Sequence, residues 1–341
     1  MTGIEAVGRS SFAVRGAYVH GSGTVVGPKE SAGPLRGRFD RQWQDGTADA
    51  ISFEAAEREL VLTAVATARE KAGWAAEQVD LCLGGDLLNQ LYSTNFAARQ
   101  HQIPLLGLFS ACATFAEAVG LGAMLVASGG PRRVVAVTAS HHLAAERQFR
   151  YPVELGYQRG PTASWTATAA GALLVGREPR SVAVRGMTVG RVVDLGRKDP
   201  MDMGTAMAPA AYDTIRRHLA AFGRKPQDYD RILTGDLGRV GSPVLVDLLE
   251  PEAPGFDAVH DDCGRLMYAD DQDVHNGGSG AGLVGAVFCA WALPALEAGD
   301  WQRVLLVATG ALFSPTSYQQ GESIPCVAHA VEFEREEAQG R

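Results

Sequence analysis

The tetrapeptide AVRG occurs at residues 13–16 and again at 183–186, and it is the first of several landmarks that recur in the same order along the chain. The stretches "SFAVRGAYVHGSGTVVG" (11–27) and "SVAVRGMTVGRVVDLG" (181–196) each read as an alternating apolar strand followed by a return strand. A helical pattern comes next in both, "FEAAERELVLTAVATAREKAG" and "AAYDTIRRHLAAFG". Each is stopped by a glycine, Gly73 or Gly223, the residue that most readily adopts a left-handed helix cap. The strands "VDLCLGGDLLNQ" (79–90) and "YDRILTGDLGRVG" (229–241) then share the sequence Gly-Asp-Leu. A turn of small residues opens an Ala/Gly-rich helix in "SACATFAEAVGLGAML" and in "GGSGAGLVGAVFCAW". The strands "RRVVAVTAS" and "QRVLLVATG" follow, and "ATAAGALLVG" and "IPCVAHAVEFE" close the two copies.

A duplicated βαβαβ unit of this kind implies an α/β protein with mostly parallel sheets, and continuously apolar strands imply sheets covered on both faces. Two such halves, residues 1–180 and 181–341, stack into a five-layered α/β/α/β/α body. The Ala/Gly helices belong in its central layer, where only small side chains let helix and sheet approach closely. Cys112 then stands at the mouth of the first central helix, beside the carboxyl ends of strands where α/β folds place ligands. A thiol in that position is either a nucleophile favoured by helix-end amides or a buried small residue.

Composition narrows the function. The 341 residues carry a net charge of -8 and no basic stripe, which disfavours nucleic-acid binding. The five cysteines are dispersed without CxxC spacing, so neither a disulfide framework nor a zinc site is expected. The acidic run "DDQDVHNGG" (270–278) lacks the spacing of a calcium loop and reads as ordinary surface, and no metal or cofactor is expected. The longest apolar stretch, from Ala281 to Leu296, is shorter than a membrane span and contains Pro294, so it reads as a buried helix. Without a secretory leader pattern, any membrane association is expected to be peripheral.

The cysteine at the mouth of the first central helix, within two copies of one α/β unit, resembles the thiolase superfamily of thiolases and ketoacyl synthases. More narrowly, "GDLLNQ", "SACAT", "ASHH", "ERQFRYPVELGYQRGPTASWT", "TGDLGRVG", "DCGRLMYADDQDVHNGGSGAG" and "QQGESIPCVAHAV" resemble the SpoVAD family of thiolase-like sporulation proteins. The resemblance covers nearly the whole chain. It implies binding of dipicolinic acid, alone or with Ca²⁺, and action beside other SpoVA proteins at the spore inner membrane. It also implies a homodimer.

The resemblance sets a test for catalysis. A condensing enzyme needs two side chains, His with His or Asn, to hydrogen-bond the thioester oxygen as charge develops there. One lies after a second-half strand, where this chain reads "ILTGDLG", placing Gly235 or Asp236 there. The other precedes the second central helix, where Asn276 is expected, with His275 beside it. The second cysteine of a degradative thiolase is missing from "TGALFSPTSYQQG". The expectation is a binding pocket without turnover, with Cys112 as a vestigial nucleophile. The ligand-binding candidates are Cys112, Asp86, Asn89, His142, Arg150, His275 and Asn276; Asp86 equally suits a cap of the following turn. Arg150 belongs to a loop rich in arginine and aromatic residues, suited to an aromatic dianion. The alternatives are an acyltransferase using Cys112 and a ligand-free scaffold.

Overall fold

Two copies of one five-stranded sheet carry the chain. A computed structural model describes residues 3–149 and 159–336. The first run comprises β1 (Tyr18–Val26), α1 (Phe53–Ala72), β2 (Leu81–Gly85), α2 (Tyr92–His101), β3 (Leu105–Gly107), α3 (Thr114–Ala127), β4 (Arg133–Ser140), α4 (His142–Phe149) and β5 (Ala169–Gly176). The second comprises β6 (Val182–Thr188), α5 (Met203–Phe222), β7 (Arg231–Thr234), α6 (Gly238–Leu249), β8 (His260–Asp262), α7 (Ala281–Val287), β9 (Arg303–Ala311) and β10 (Cys326–Arg335). Sheet order is β3-β2-β4-β5-β1 in one and β8-β7-β9-β10-β6 in the other, the two joined where Tyr18 of β1 meets Ala183 of β6. In each sheet only the fourth strand, β5 or β10, runs against its neighbours.

Period-two alternation within single strands builds the layers. Val135 and Val137 of β4 face outward onto Leu60, Val61 and Val65 of α1, whereas Val134 and Ala136 face inward onto Phe115 and Val119 of α3. In β9, Leu305 and Val307 meet Met207 and Ile215 of α5, while Leu306 and Ala308 join Leu283 and Val287 of α7 in the central layer. The five-layered α/β/α/β/α order expected from the duplication is therefore the observed one. Gly73 and Gly223 end α1 and α5 with φ of 66° and 61°.

Close approach explains the glycines of the central layer. A Cβ on Gly171 of β5 would lie 2.2 Å from the carbonyl carbon of Gly285 in α7. Helix α7 continues through a π turn, Phe288–Ala292, into Leu293–Ala298. Pro294 has no N–H to offer the preceding turn, and the wider turn accommodates that loss. The apolar run expected to be too short for a membrane span is, as the continuous helix Ala281–Ala298, the one among the described residues long and apolar enough to cross a membrane; 72% of it is buried inside the fold.

One expectation fails in the second half. Residues 189–196 form no return strand; a lone bridge joins Val193 to Cys326. The two AVRG copies are also not equivalent in space. The first lies in the strand Ser11–Arg15, which turns at Gly16 with φ 84° before β1 begins. The second lies within β6, whose structural counterpart is β1.

Candidate functional site

The turn before α3 presents Cys112. Ala111 adopts a left-handed φ of 50°, unusual for a residue with a Cβ. The surrounding hydrogen bonds hold it there: the Thr114 hydroxyl donates to the Ala111 carbonyl at 2.7 Å and receives the Ser110 N–H at 2.9 Å. The Ser110 hydroxyl is 3.2 Å from Nε2 of His329 on β10. Because Nδ1 of that ring accepts the Gly190 N–H, Nε2 carries the proton and donates. Burial lowers His329 to about 4, so it is neutral.

The second half supplies the thiol's neighbours. Ser279 ends the short strand Gly277–Ser279, which pairs in parallel with Ser164–Thr166, and its Oγ is 3.8 Å from the Cys112 sulfur. The Ser279 hydroxyl and the Gly280 N–H both donate to Oδ2 of Asp236 at 2.8 Å. Gly280, with φ 121°, permits this approach at the start of α7. The Asp236 N–H donates to the Thr309 hydroxyl at 3.0 Å, pinning the end of β7 to β9. Burial raises the Asp236 carboxyl to about 7. Burial and then the charge of Asp236 push the Cys112 thiol well above its ordinary value.

A narrow cleft opens above these residues. Its walls are mostly apolar, with Leu87, Phe109, Phe149, Met203, Met207 and Phe313 among them, while Cys112, Ser279, Thr166 and Glu146 supply polar atoms. Glu146 receives Arg159 and the Thr166 hydroxyl, both at 3.2 Å. A second depression, sharing Leu87, Phe109, Phe149 and Phe313, extends the cleft outward past Asn89 and Gln148.

Of the candidate residues, Cys112 reaches the cleft floor. Asn89 sits at the outer depression, where its Oδ1 accepts from Gln148. The others are elsewhere. Asp86 is a cap: one carboxylate oxygen accepts from the Leu88 N–H, and the other from the N–H and hydroxyl of Thr94 on α2. His142 stacks on Trp165 with ring centroids 3.6 Å apart and stands outside the lining of the cleft. His275 points toward the exposed Asp273 at 3.6 Å. Asn276 is corrected most clearly. Its Oδ1 accepts the Val240 N–H, and its amide nitrogen donates to Ser164 and to the Leu237 carbonyl. Its side chain ties the start of α6 to the strand Ser164–Thr166, and the position beside the thiol belongs to Ser279. Arg150 lies outside the described residues.

Gly235, one of the two residues expected at the histidine position of the condensing pattern, leaves no room for a side chain: its Cβ would lie 2.9 Å from the Thr309 nitrogen. The next residue, Asp236, turns toward Cys112 instead. The duplicated GDL hid this role, because its first copy, Asp86, is a cap. Ser279 was legible only as one of the small residues before α7.

A family model described as stage V sporulation protein AD (SpoVAD) matches residues 9–334. The stage V sporulation protein AD of Bacillus subtilis (strain 168) is 46% identical over 318 residues, covering 93% of this chain and 94% of the relative. This chain belongs to the SpoVAD family. It is therefore a sporulation protein. SpoVAD shares its fold with condensing enzymes. The 3-oxoacyl-[acyl-carrier-protein] synthase III of Aquifex aeolicus VF5 superposes with a TM-score of 0.57 at 13% identity, covering 94% of this chain and 100% of that one. OleA E117Q of Xanthomonas campestris gives a TM-score of 0.63 at 12% identity, covering 94% and 98%. In this SpoVAD chain the thiol at the mouth of the central helix has an acid and a hydroxyl as neighbours.

Proposed function

We propose that the protein is a non-catalytic, thiolase-like binding protein for dipicolinic acid or its calcium chelate. In this reading it supports movement of that ligand across the spore inner membrane together with other SpoVA proteins. It works as a homodimer in the forespore and spore, peripheral to the membrane and held there by its partners. The ligand is inferred from the family resemblance. The absence of turnover rests on one observation: the groups beside the Cys112 thiol satisfy each other. The Ser279 hydroxyl and the Gly280 N–H, which would have to stabilise a thioester oxyanion, both donate to Asp236. Loss of even one such donor costs on the order of 10²- to 10³-fold in rate. The thiol itself is held protonated by burial and by the neighbouring acid, which removes the nucleophile. What remains is a mostly apolar slot with a polar floor, suited to a flat ring bearing polar groups.

The test is calorimetric titration of the purified protein with dipicolinate, with and without Ca²⁺, beside Cys112→Ala and beside acetyl-CoA and malonyl-CoA. Saturable dipicolinate binding, weakened by the substitution and with no response to either thioester, is the expected result. Acylation of Cys112 without dipicolinate binding would make the protein an enzyme, and silence toward every ligand would make it a scaffold.

A further inference from the structure

Asp236 is fully buried, and its two oxygens are used unequally. Oδ2 receives the Ser279 hydroxyl and the Gly280 N–H, whereas Oδ1 has no N–H or O–H partner among the described residues, and the Cys112 thiol is a further, weak donor to the carboxyl. A buried carboxylate oxygen without such a partner disfavours the charged form. The structure offers little to offset that preference. From the mouth of α3 the acid faces the Cys112 thiol. From the start of α7 it meets Ser279 and Gly280, and from β9 the Thr309 hydroxyl, which is engaged with its backbone N–H. From the end of β8 it meets Asp262, a second buried acid, followed by Cys263. The remaining acid at the cleft is Glu146 on the wall, paired with Arg159. Among the described residues, no lysine or arginine lines the cleft.

A carboxylate-bearing occupant resting on Cys112 and Ser279 therefore meets a negative environment just behind them. Two like charges a few ångströms apart in a poorly screened site cannot both persist, and the cheaper adjustment is for one acid to take up a proton. We propose that Asp236 binds a proton when a carboxylate occupies the Cys112 cleft, so that ligand binding at this site is linked to uptake of one proton. This inference rests on the proposed binding of dipicolinate. Burial sets Asp236 at about 7, where neutral solution readily supplies the proton. The neutral acid places its hydrogen on Oδ1, the oxygen without an N–H or O–H partner, while Oδ2 keeps both of its donors. Asp236 acts here as a positioning residue behind the ligand, and Cys112 and Ser279 make the contact.

The linkage has a definite sign. The ligand's own carboxylates are ionised throughout the neutral range, since ordinary carboxyl groups titrate near pH 4. Below the Asp236 value in the free protein the acid is already neutral, and affinity is flat with pH. Above it each bound ligand draws in one proton, and Kd rises about tenfold per pH unit.

The experiment is calorimetric titration of the full chain with dipicolinate, without Ca²⁺, from pH 6 to 9. At each pH two buffers of different ionisation enthalpy count the protons taken up. The expected wild-type result is uptake approaching one proton per ligand on the alkaline side, with Kd rising by that slope. In Asp236→Asn, checked by circular dichroism and thermal melting, uptake is lost and Kd stays flat. Saturable binding with no proton uptake and a level Kd would overturn the inference while leaving the binding function intact. So would an unchanged uptake in Asp236→Asn. The wild-type series decides alone should that variant not fold. No binding at any pH would overturn the proposed function and this inference together.

Discussion

Asp236 and Ser279 are joined at 2.8 Å across the two chain segments that enclose Cys112, and the Ser279 oxygen stands 3.8 Å from the sulfur. The acid and the hydroxyl beside the thiol thus satisfy each other.

The first consequence is low thiol reactivity. Cys112 is held above its ordinary value by burial and by Asp236, so alkylation by iodoacetamide at pH 8 is expected to be far slower than that of a free thiol. Asp236→Asn removes the charge but keeps the shape, and it is expected to raise the rate. Mass spectrometry of the Cys112 peptide over time reads both rates, and equal rates in the two proteins would refute the role given to Asp236.

Adjacent residues in the sequence have opposite importance. Asn276→Ala leaves the Val240 N–H, the Ser164 hydroxyl and the Leu237 carbonyl without their shared partner in the interior. That is expected to cost about 3 kcal/mol. His275 holds a left-handed φ of 51° at the surface, so His275→Asn, which tolerates that conformation, is expected to stay within about 0.5 kcal/mol of wild type. Denaturant midpoints of the two variants check the contrast.

The repeat made the layers, the central helices and the position of Cys112 readable in the sequence, because burial on both faces writes itself into apolar strands and small-residue helices. The partners of the thiol were not readable. Asp86 and Asp236 stand in identical Gly-Asp-Leu contexts, yet one caps α2 and the other crosses to Ser279. What separates them is tertiary: only the second lies opposite the turn that opens α7. An amide such as Asn276 suits an oxyanion, but the short strand Gly277–Ser279 carries the chain on from it and brings Ser279 to the thiol. The second AVRG misled in the same manner, since an echo in sequence does not fix register in a sheet.

His329 links the Cys112 turn to acid stability. It is buried, and its value falls to about 4 in the folded protein, against about 6.5 when unfolded. The unfolded chain therefore binds more protons between these values, and stability is lost as pH falls from about 6.5 toward 4, by up to about 1.4 kcal/mol per pH unit. Above 6.5 the group contributes no pH dependence. His329→Gln can still accept from the Gly190 N–H and donate to Ser110, so it is expected to flatten this acid limb. Urea unfolding at pH 7.5, 6 and 5 measures the slope, and an unchanged slope in the variant would assign acid lability to other groups.

The central layer sets the most severe constraint on substitution. Gly171 of β5 lies against the backbone of Gly285 and Ala286 in α7, and an added Cβ would stand 2.2 Å and 2.6 Å from their atoms. Backbone cannot move aside as a flexible side chain can, so Gly171→Ala must push α7 off the sheet. Because α7 begins at Gly280, the displacement also disturbs the Asp236–Ser279 pair. The expected cost is about 3 kcal/mol, at the upper end of overpacking. Gly46→Ala, where nothing lies within 4 Å of the new Cβ, is expected to be near neutral. Comparing denaturant midpoints, together with iodoacetamide labelling of Cys112 in folded Gly171→Ala, separates two effects. A lower midpoint with faster labelling would tie the floor of the cleft to the packing of α7, whereas a lower midpoint with unchanged labelling would show that the thiol's surroundings are held by β7 and β9 alone.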